Sequence, residues 1–386
     1  MIPNTLFELY KKSCKETKNP CENILHDLSE EKAKEYIKHY FDNRGKCKAF
    51  EFDYKAFEFD YLDNESKILN KAIHTFSTFL LGFTLKDIVH DTLKQYISEK
   101  NPTWKDWDFE YTWFLTSLYH DCLAGYEKMI PENSKKFSLK QFLKKIDSTY
   151  EYSIYDKKLN NNIFSETDLP TVEPTFSEEI IKKYFNYRIK EMNSIDHGII
   201  GGFIQFDKLI KNFKEQYDSA SYNDEIEDGV FYSTHNDKTL VWRIQHLWHF
   251  AFVADAILAH NIWFVDLGDE KLVENYRKYG LSSLIVCKSE DRIDNRITLE
   301  KSPLLFFLAI IDTIEPTKYF NTLNPKFVLQ KISIIYIQEE KTIEITADKK
   351  IFNIELWYRK KIKDLKTWIN IKDTVLDNNK IKIVLN

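Results

Sequence analysis

Apolar residues recur at helical spacing along most of the chain. Between about 66 and 99, Ile68, Leu69, Ala72, Ile73, Phe76, Phe79, Leu80 and Phe83 form one broad face, and Pro102 ends the pattern. A second apolar helix is expected at 110–124, closing on "YHDCLAG". Further helices are expected at about 177–192, 197–216, 238–261, 268–279 and 302–314. Residues 1–45 read as short polar helices, with Asp27 and Ser29 as cap candidates and Glu30 and Glu31 in the turn that follows. Residues 131–176 are mixed and polar, and "LNNNIFSETDLPTVEP" is the clearest loop.

The pattern changes after Pro316. "FVLQKISIIYIQ", "KTIEITA", "KIFNIELWYR" and "NKIKIVLN" are β-branched, partly alternating runs separated by polar turns, and each is expected as a strand. The reading is therefore mainly α: an N-terminal extension over 1–65, a helical bundle over 66–320, and a small β-rich module over 321–386. Within the extension, "KAFEFDY" at 48–54 is repeated at once at 55–61. Two copies are too few for a solenoid, and no chemistry is assigned to them.

Composition supports a folded protein. Hydrophobic residues make up 43% and charged residues 30%, a balance that can bury a core. Gly and Pro are scarce at nine each, which favours long helices. The net charge of −5 does not favour nucleic acid as a partner. Residues 316–386 nevertheless hold 14 Lys/Arg against 8 Asp/Glu, so the β module is mildly basic. It is a candidate element for dimerisation or for binding a partner. The longest purely apolar stretch, "LLFFLAII" at 304–311, is far short of the roughly 20 residues a membrane span needs. Five scattered cysteines (Cys14, Cys21, Cys47, Cys122, Cys287) with no CxxC read as reduced thiols of a cytoplasmic protein.

The candidate chemistry lies on the apolar helices. His-Asp occurs three times, at His26-Asp27, His90-Asp91 and His120-Asp121. The first falls in a loop before a cap and the second in the middle of a helix, where neighbours point about 100° apart. Only His120-Asp121 ends an apolar helix, where the backbone leaves regular spacing and both side chains can turn to one ion. His74 lies inside "KAIHTFSTFLLGF", His197 opens "HGIIGGF", His260 closes "ADAILAHN", and Asp312 is embedded in "PLLFFLAIIDTIEP". A buried aspartate in such a run costs several kcal/mol unless it is paired, hydrogen-bonded or bound to metal. Helical bundles build metal sites from inward-facing residues of this kind.

In order and local context these residues resemble the HD-domain metal-dependent phosphohydrolase superfamily, whose two-metal branch runs H…HD…H…H…D. The resemblance covers about 66–320. It implies one or two divalent ions, with His74, His120, Asp121 and Asp312 on the first and His197 and His260 completing a second across Asp121. Nitrogen and oxygen donors suit Mn, Fe, Zn, Ni or Mg without choosing among them. The implied activity is hydrolysis of a phosphomonoester or phosphodiester of nucleotide-like chemistry by a metal-activated water. Asp121, Glu127, Lys128 and Arg243 are the catalytic candidates: Glu127 and Lys128 to hold a water or a phosphate, Arg243 to bind phosphate.

Each residue also has a plainer reading. His74 can be a satisfied core histidine, with His90 the rival first ligand. His197 can be a first-turn residue behind a capping Asp196. His260 can be packed at a helix end, and Asp312 can be a structural hydrogen-bonder. Glu127 and Lys128 can be a surface pair, and Arg243, His246 and His249 can be packing at a core edge. The glycines of "HGIIGG" match no phosphate loop and are expected to let helices approach closely. Cys122 is expected to be a packed small residue. The alternative to an enzyme is a catalytically degenerate binding or sensor protein, with a structural metal site and a partner-binding β module.

Overall fold

The apolar runs fold into helices that share one buried core. The structure, a computed structural model, describes residues 4–16, 22–44, 71–102, 107–128, 138–156, 172–222, 226–227, 230–235, 238–286, 295–377 and 380–386. The duplication at 48–61 and most of the 159–174 loop lie outside these residues. Near the N-terminus come α1 (Leu6–Glu16), α2 (Glu22–His26) and α3 (Glu30–Arg44). Then follow α4 (Lys71–Thr84), α5 (His90–Lys100), α6 (Phe109–Ser117) and α7 (Leu139–Ile146). Next are α8 (Glu178–Met192), α9 (His197–Tyr222), α10 (Gln245–Ala259), α11 (Glu270–Lys278) and α12 (Pro303–Ile314). Among the described residues no helix is long and apolar enough to cross a membrane.

Four of these helices position the site: α4, α9, α10 and α12. Residues 72–83 of α4 are buried without exception, as are 247–259 of α10 and 303–311 of α12. Pro303 at the first position of α12 sets the helical φ where its missing N–H costs nothing. Helix α9 runs antiparallel to α10, and glycines set their separation. A Cβ on Gly202 would lie 2.6 Å from Leu258 Cβ and 2.7 Å from the Ala254 carbonyl. A Cβ on Gly198 would lie 2.8 Å from the His260 ring. Close approach is thus what these glycines supply, as the sequence led us to expect.

Several boundaries differ from the sequence expectation. The 66–99 run is not one helix: α4 stops at Thr84, a 3-10 turn follows at Lys86–Ile88, and α5 starts at His90. The break lets Leu85, Ile88 and Val89 all reach the core. The expected 238–261 helix begins as a strand instead. β3 (Lys238–Arg243) pairs antiparallel with β2 (Val230–His235), which also pairs with β1 (Ile226–Glu227). The alternation in "KTLVWR" explains this, because Trp242 stacks on its cross-strand partner Phe231 and both pack against Phe213 of α9. At the N-terminus Ser29, rather than Asp27, accepts the backbone N–H of Lys32, while Asp27 pairs with the Lys32 ammonium. Glu30 has a longer reach: its carboxylate accepts Ala72 N and Ile73 N, capping α4.

The C-terminal β-rich module is present as a four-stranded antiparallel sheet. After a short parallel pair, β4 (Val265–Asp266) and β5 (Ile285–Val286), the strands β6 (Ile332–Ile337), β7 (Thr342–Ala347), β8 (Asp373–Asp377) and β9 (Lys380–Val384) stand in the order β6-β7-β9-β8. Two of the expected strands are partly or wholly helical. The first half of "FVLQKISIIYIQ" lies in α14 (Pro325–Lys331), which follows the short α13 (Pro316–Tyr319). "KIFNIELWYR" forms α15 (Ile354–Trp357), capped by Asn353, and runs on into a π-helical turn, Tyr358–Ile362. Helix α16 (Leu365–Trp368) then leads to β8. Ile354, Trp357, Ile362 and Leu365 are buried at helical rather than alternating spacing, and that burial decides the conformation.

The N-terminal helices pack on both regions. α1 lies against α4, α14 and β6, with Tyr10 bonded to Ser77 and Ser333 to the Asn4 carbonyl. Cys14 is disulfide-bonded, to a residue outside those described. The expectation of five reduced thiols, on which a cytoplasmic location rested, therefore fails at this position.

Candidate metal centre

Six side chains expected to be ligands come together at one end of the bundle. His74, His120, Asp121 and Asp312 form one group, and Asp121, His197 and His260 a second, with the ligand atoms of each group within 4.8 Å of one another. Asp121 belongs to both. Each group draws on a different part of the fold: α4 gives His74, the turns after α6 give His120 and Asp121, α9 gives His197, the end of α10 gives His260, and α12 gives Asp312.

The four imidazoles are held in the same way, with Nδ1 engaged and Nε2 turned inward. His120 and His260 lie just past the ends of α6 and α10, where the last carbonyls of a helix lack partners. His120 Nδ1 donates to the Ser117 carbonyl at 2.6 Å and His260 Nδ1 to the Ile257 carbonyl at 2.5 Å. His74 Nδ1 bonds the buried Glu315 carboxylate at 2.8 Å, and His197 Nδ1 bonds Glu127 at 2.5 Å. A donor on Nδ1 fixes the tautomer that leaves Nε2 free to ligate, as at metal-binding histidines generally.

The Nε2 atoms then face carboxylates or nothing. His197 Nε2 stands 2.8 Å from Asp121 Oδ1, and His74 Nε2 stands 2.9 Å from Asp312 Oδ1 and 3.4 Å from Asp121 Oδ2. His120 Nε2 and His260 Nε2 are buried without a hydrogen-bond partner, the former 3.5 Å from Asp312 Oδ1. Buried orphans of this kind are expensive, and one in each ligand group fits divalent ions held by nitrogen and oxygen.

Charge divides the site. Burial works against ionisation of Asp121 and Asp312, yet Lys318 beside both, with Lys71 beside Asp121, holds them well below the usual carboxylate range. Lys71 Nζ is 2.9 Å from Asp121 Oδ2, and Lys318 Nζ is 2.9 Å from Asp312 Oδ1 and 3.6 Å from Asp121 Oδ2. Burial, reinforced by the charges of His197 and His120, lowers His260 to about 3, so it stands neutral. His197 is opposed by burial but lifted to about 9 by Asp121 and Glu127.

The remaining candidates separate cleanly. Glu127, in the 3-10 turn Ala124–Lys128, reaches His197 and also lies 4.0 Å from Arg188. The Lys128 side chain lies outside the described residues. Arg243 is not brought to the cluster: it precedes α10, whose 15 residues put it about 20 Å from His260. Near that far end, His246 Nδ1 accepts the Arg243 backbone N–H, and His249 packs on Tyr111; burial lowers the pair to about 4 and about 3. His90, the rival first ligand, is instead paired with Asp91 against Trp107. Asp196 does cap α9, accepting Ile199 N at 2.9 Å. Burial pushes the Cys122 thiol up to about 12, which leaves it inert.

Sequence reasoning passed over Glu315, Lys71, Lys318 and Arg188. The first two carried a signal, since Lys71 stands three residues before His74 and Glu315 three after Asp312, each on the same helical face as a ligand. No protein-family model, curated protein or solved structure matches this chain.

Proposed function

We propose that the chain is a metal-dependent phosphohydrolase acting on a phosphomonoester or phosphodiester of nucleotide-like chemistry. The observation that carries this reading is the pair of ligand groups sharing Asp121, with all four imidazoles pre-oriented through Nδ1. The ligand order resembles that of the HD superfamily. When bound, two divalent ions would supply an activated water and neutralise charge on a phosphoryl group.

The protein's own part is orientation and charge. His74, His120, Asp121 and Asp312 would hold one ion, and Asp121, His197 and His260 the other. Glu315 and Glu127 aim the His74 and His197 rings. Lys71 and Lys318 give the site an excess of positive charge once ions are present, which favours an anionic substrate. Asp121 is the centre of the arrangement, because its two oxygens face both groups.

The ion pairs Lys71–Asp121 and Lys318–Asp312 support a second reading, since they satisfy the carboxylates without metal. In that reading the cluster is the ionic core of a binding or sensor protein. Metal analysis and hydrolysis assays separate the two. The enzyme reading expects one or two ions per chain, and hydrolysis of bis-p-nitrophenyl phosphate or of a nucleotide from a panel with Mn2+, Mg2+, Fe2+, Ni2+ or Zn2+. Asp121→Ala should abolish both. A wild-type protein that takes up no ion, or activity unchanged in Asp121→Ala, would reject it.

A further inference from the structure

The two ligand groups differ in what already stands on their oxygens. Two oxygens serve the first group, and each carries an ammonium group. Lys71 Nζ lies 2.9 Å from Asp121 Oδ2, while Lys318 Nζ lies 2.9 Å from Asp312 Oδ1 and 3.6 Å from Asp121 Oδ2. His74 Nε2 faces the same two oxygens, 3.4 Å from Asp121 Oδ2 and 2.9 Å from Asp312 Oδ1. The second group uses the other oxygen of Asp121. Oδ1 stands 2.8 Å from His197 Nε2, and among the described residues no lysine pairs with it.

The lysines also lie on the open side. His74, His120 and Asp121 are 0–1% exposed, against 14% for Lys71, 18% for Asp312 and 38% for Lys318. A solute coming from solvent therefore meets the ammonium groups before the buried ligands. An ion at the first group must either share its oxygens with these cations or turn them away. Sharing brings like charges close together, and turning them away breaks two ion pairs in a shielded site. Each course opposes the ion. An anion that accepts hydrogen bonds from both ammonium groups offsets either cost.

We propose that Lys71 and Lys318 bind the substrate's phosphoryl group and make filling of the first metal group depend on it. Alone, the two lysines are counter-ions of Asp121 and Asp312. With an ion on those carboxylates, the ammonium groups turn to the anion instead. Ion and anion then each raise the protein's affinity for the other, by the same factor. The second group carries no lysine, so its ion binds without help from the anion. This proposal rests on the phosphohydrolase reading for the presence of ions at both groups.

The test is calorimetric titration of the full-length protein with Mn2+, with and without saturating methylphosphonate. In wild type the phosphonate should tighten one Mn2+ site by roughly tenfold or more and leave the other nearly unchanged. Asp312→Ala should remove the responsive site, which assigns it to the first group. Without phosphonate, Lys318→Met should bind Mn2+ at that site more tightly than wild type, and it should lose most of the tightening that phosphonate brings. Lys318→Arg should behave as wild type. A distorted site would instead bind Mn2+ more weakly under both conditions. If Lys318→Met does so, Lys71→Met is judged by the same criterion, and weaker binding there too overturns the proposal. Equal tightening in wild type and Lys318→Met, or a responsive site that survives Asp312→Ala, also overturns it. Two Mn2+ sites indifferent to phosphonate in wild type overturn the proposal alone, whereas no Mn2+ binding under either condition overturns the metal reading and the proposal together.

Discussion

His120 and His260 owe their ligand geometry to where they stand rather than to their neighbours in sequence. Each follows the last turn of a helix, finds an orphan carbonyl three residues back, and is left with Nε2 pointing into the cluster. His74, inside a helix, has no spare carbonyl and depends on Glu315. That carboxylate also accepts Thr317 N, the Thr317 hydroxyl and Lys318 N, so its position is fixed. Glu315→Gln keeps the shape but removes the charge, and Mn2+ affinity at the first group is expected to fall roughly 10–100-fold, read by calorimetry. Wild-type affinity in this variant would show that Glu315 does not orient His74. Asp255 gives a separate prediction, away from the ligands. Burial raises it to about 6, against hydrogen bonds from the Thr175 amide and hydroxyl. The folded state therefore prefers the protonated form. Its contribution is fully present below the unfolded value of about 4 and is lost as pH rises through 6, a change of about 3 kcal/mol. Asp255→Asn should flatten the stability profile by about that amount between pH 4 and 7, measured by urea unfolding. Superimposable profiles would contradict it.

At the scale of elements, the α9–α10 pair offers a sharp contrast between two adjacent glycines. A Cβ on Gly201 would meet nothing nearer than Ile257 Cγ2 at 3.8 Å, so Gly201→Ala should stabilise the helix by about 0.5–1 kcal/mol. Gly202→Ala must displace Leu258 or the Ala254 carbonyl, and is expected to cost about 1–3 kcal/mol. It should also weaken Mn2+ binding at the group that needs His197 and His260 side by side. Thermal melts and calorimetry on both variants check this, and equal effects of the two substitutions would refute it. These glycines were legible in the sequence, as were the apolar helices and all six ligand-type residues, because burial and polarity conflict at each of them. What was not legible depended on partners distant in sequence. "KTLVWR" reads as part of a helix until Phe231 and Phe213 give Trp242 a sheet face to occupy. "KIFNIELWYR" reads as a strand until Ile354, Trp357, Ile362 and Leu365 find one core. Lys318 and Arg188 look like ordinary surface cations until α13 and α8 turn them toward carboxylates. Arg243 shares a sequence neighbourhood with His260 but sits a full helix length away.

Across the whole molecule, the C-terminal module is joined to the helices on two sides. On one side, α1 packs on α14 and β6, and Lys326 bonds the His26 carbonyl. On the other, Ile297 pairs with Ile369, Arg296 bonds the Lys366 carbonyl, and Trp263 lies 4.5 Å from Trp368 between ring centroids. Trp357 and Trp368 are buried in the same continuous core as the helices that carry the ligands. Residues so connected are expected to unfold together, since neither part can keep its apolar surface covered without the other. Trp368→Ala removes a buried ring from the module's side of this seam, and should cost roughly 3–5 kcal/mol. If the core is cooperative, the loss appears in every probe at once: helix signal, tryptophan fluorescence and Mn2+ retention should share one lowered denaturant midpoint. A chain ending near Pro316 should then fail to hold metal as well, because it loses the surface that covers α12. Should the truncated chain fold and bind Mn2+ like wild type, the module would be an appendage, and the site would be complete in the helices alone.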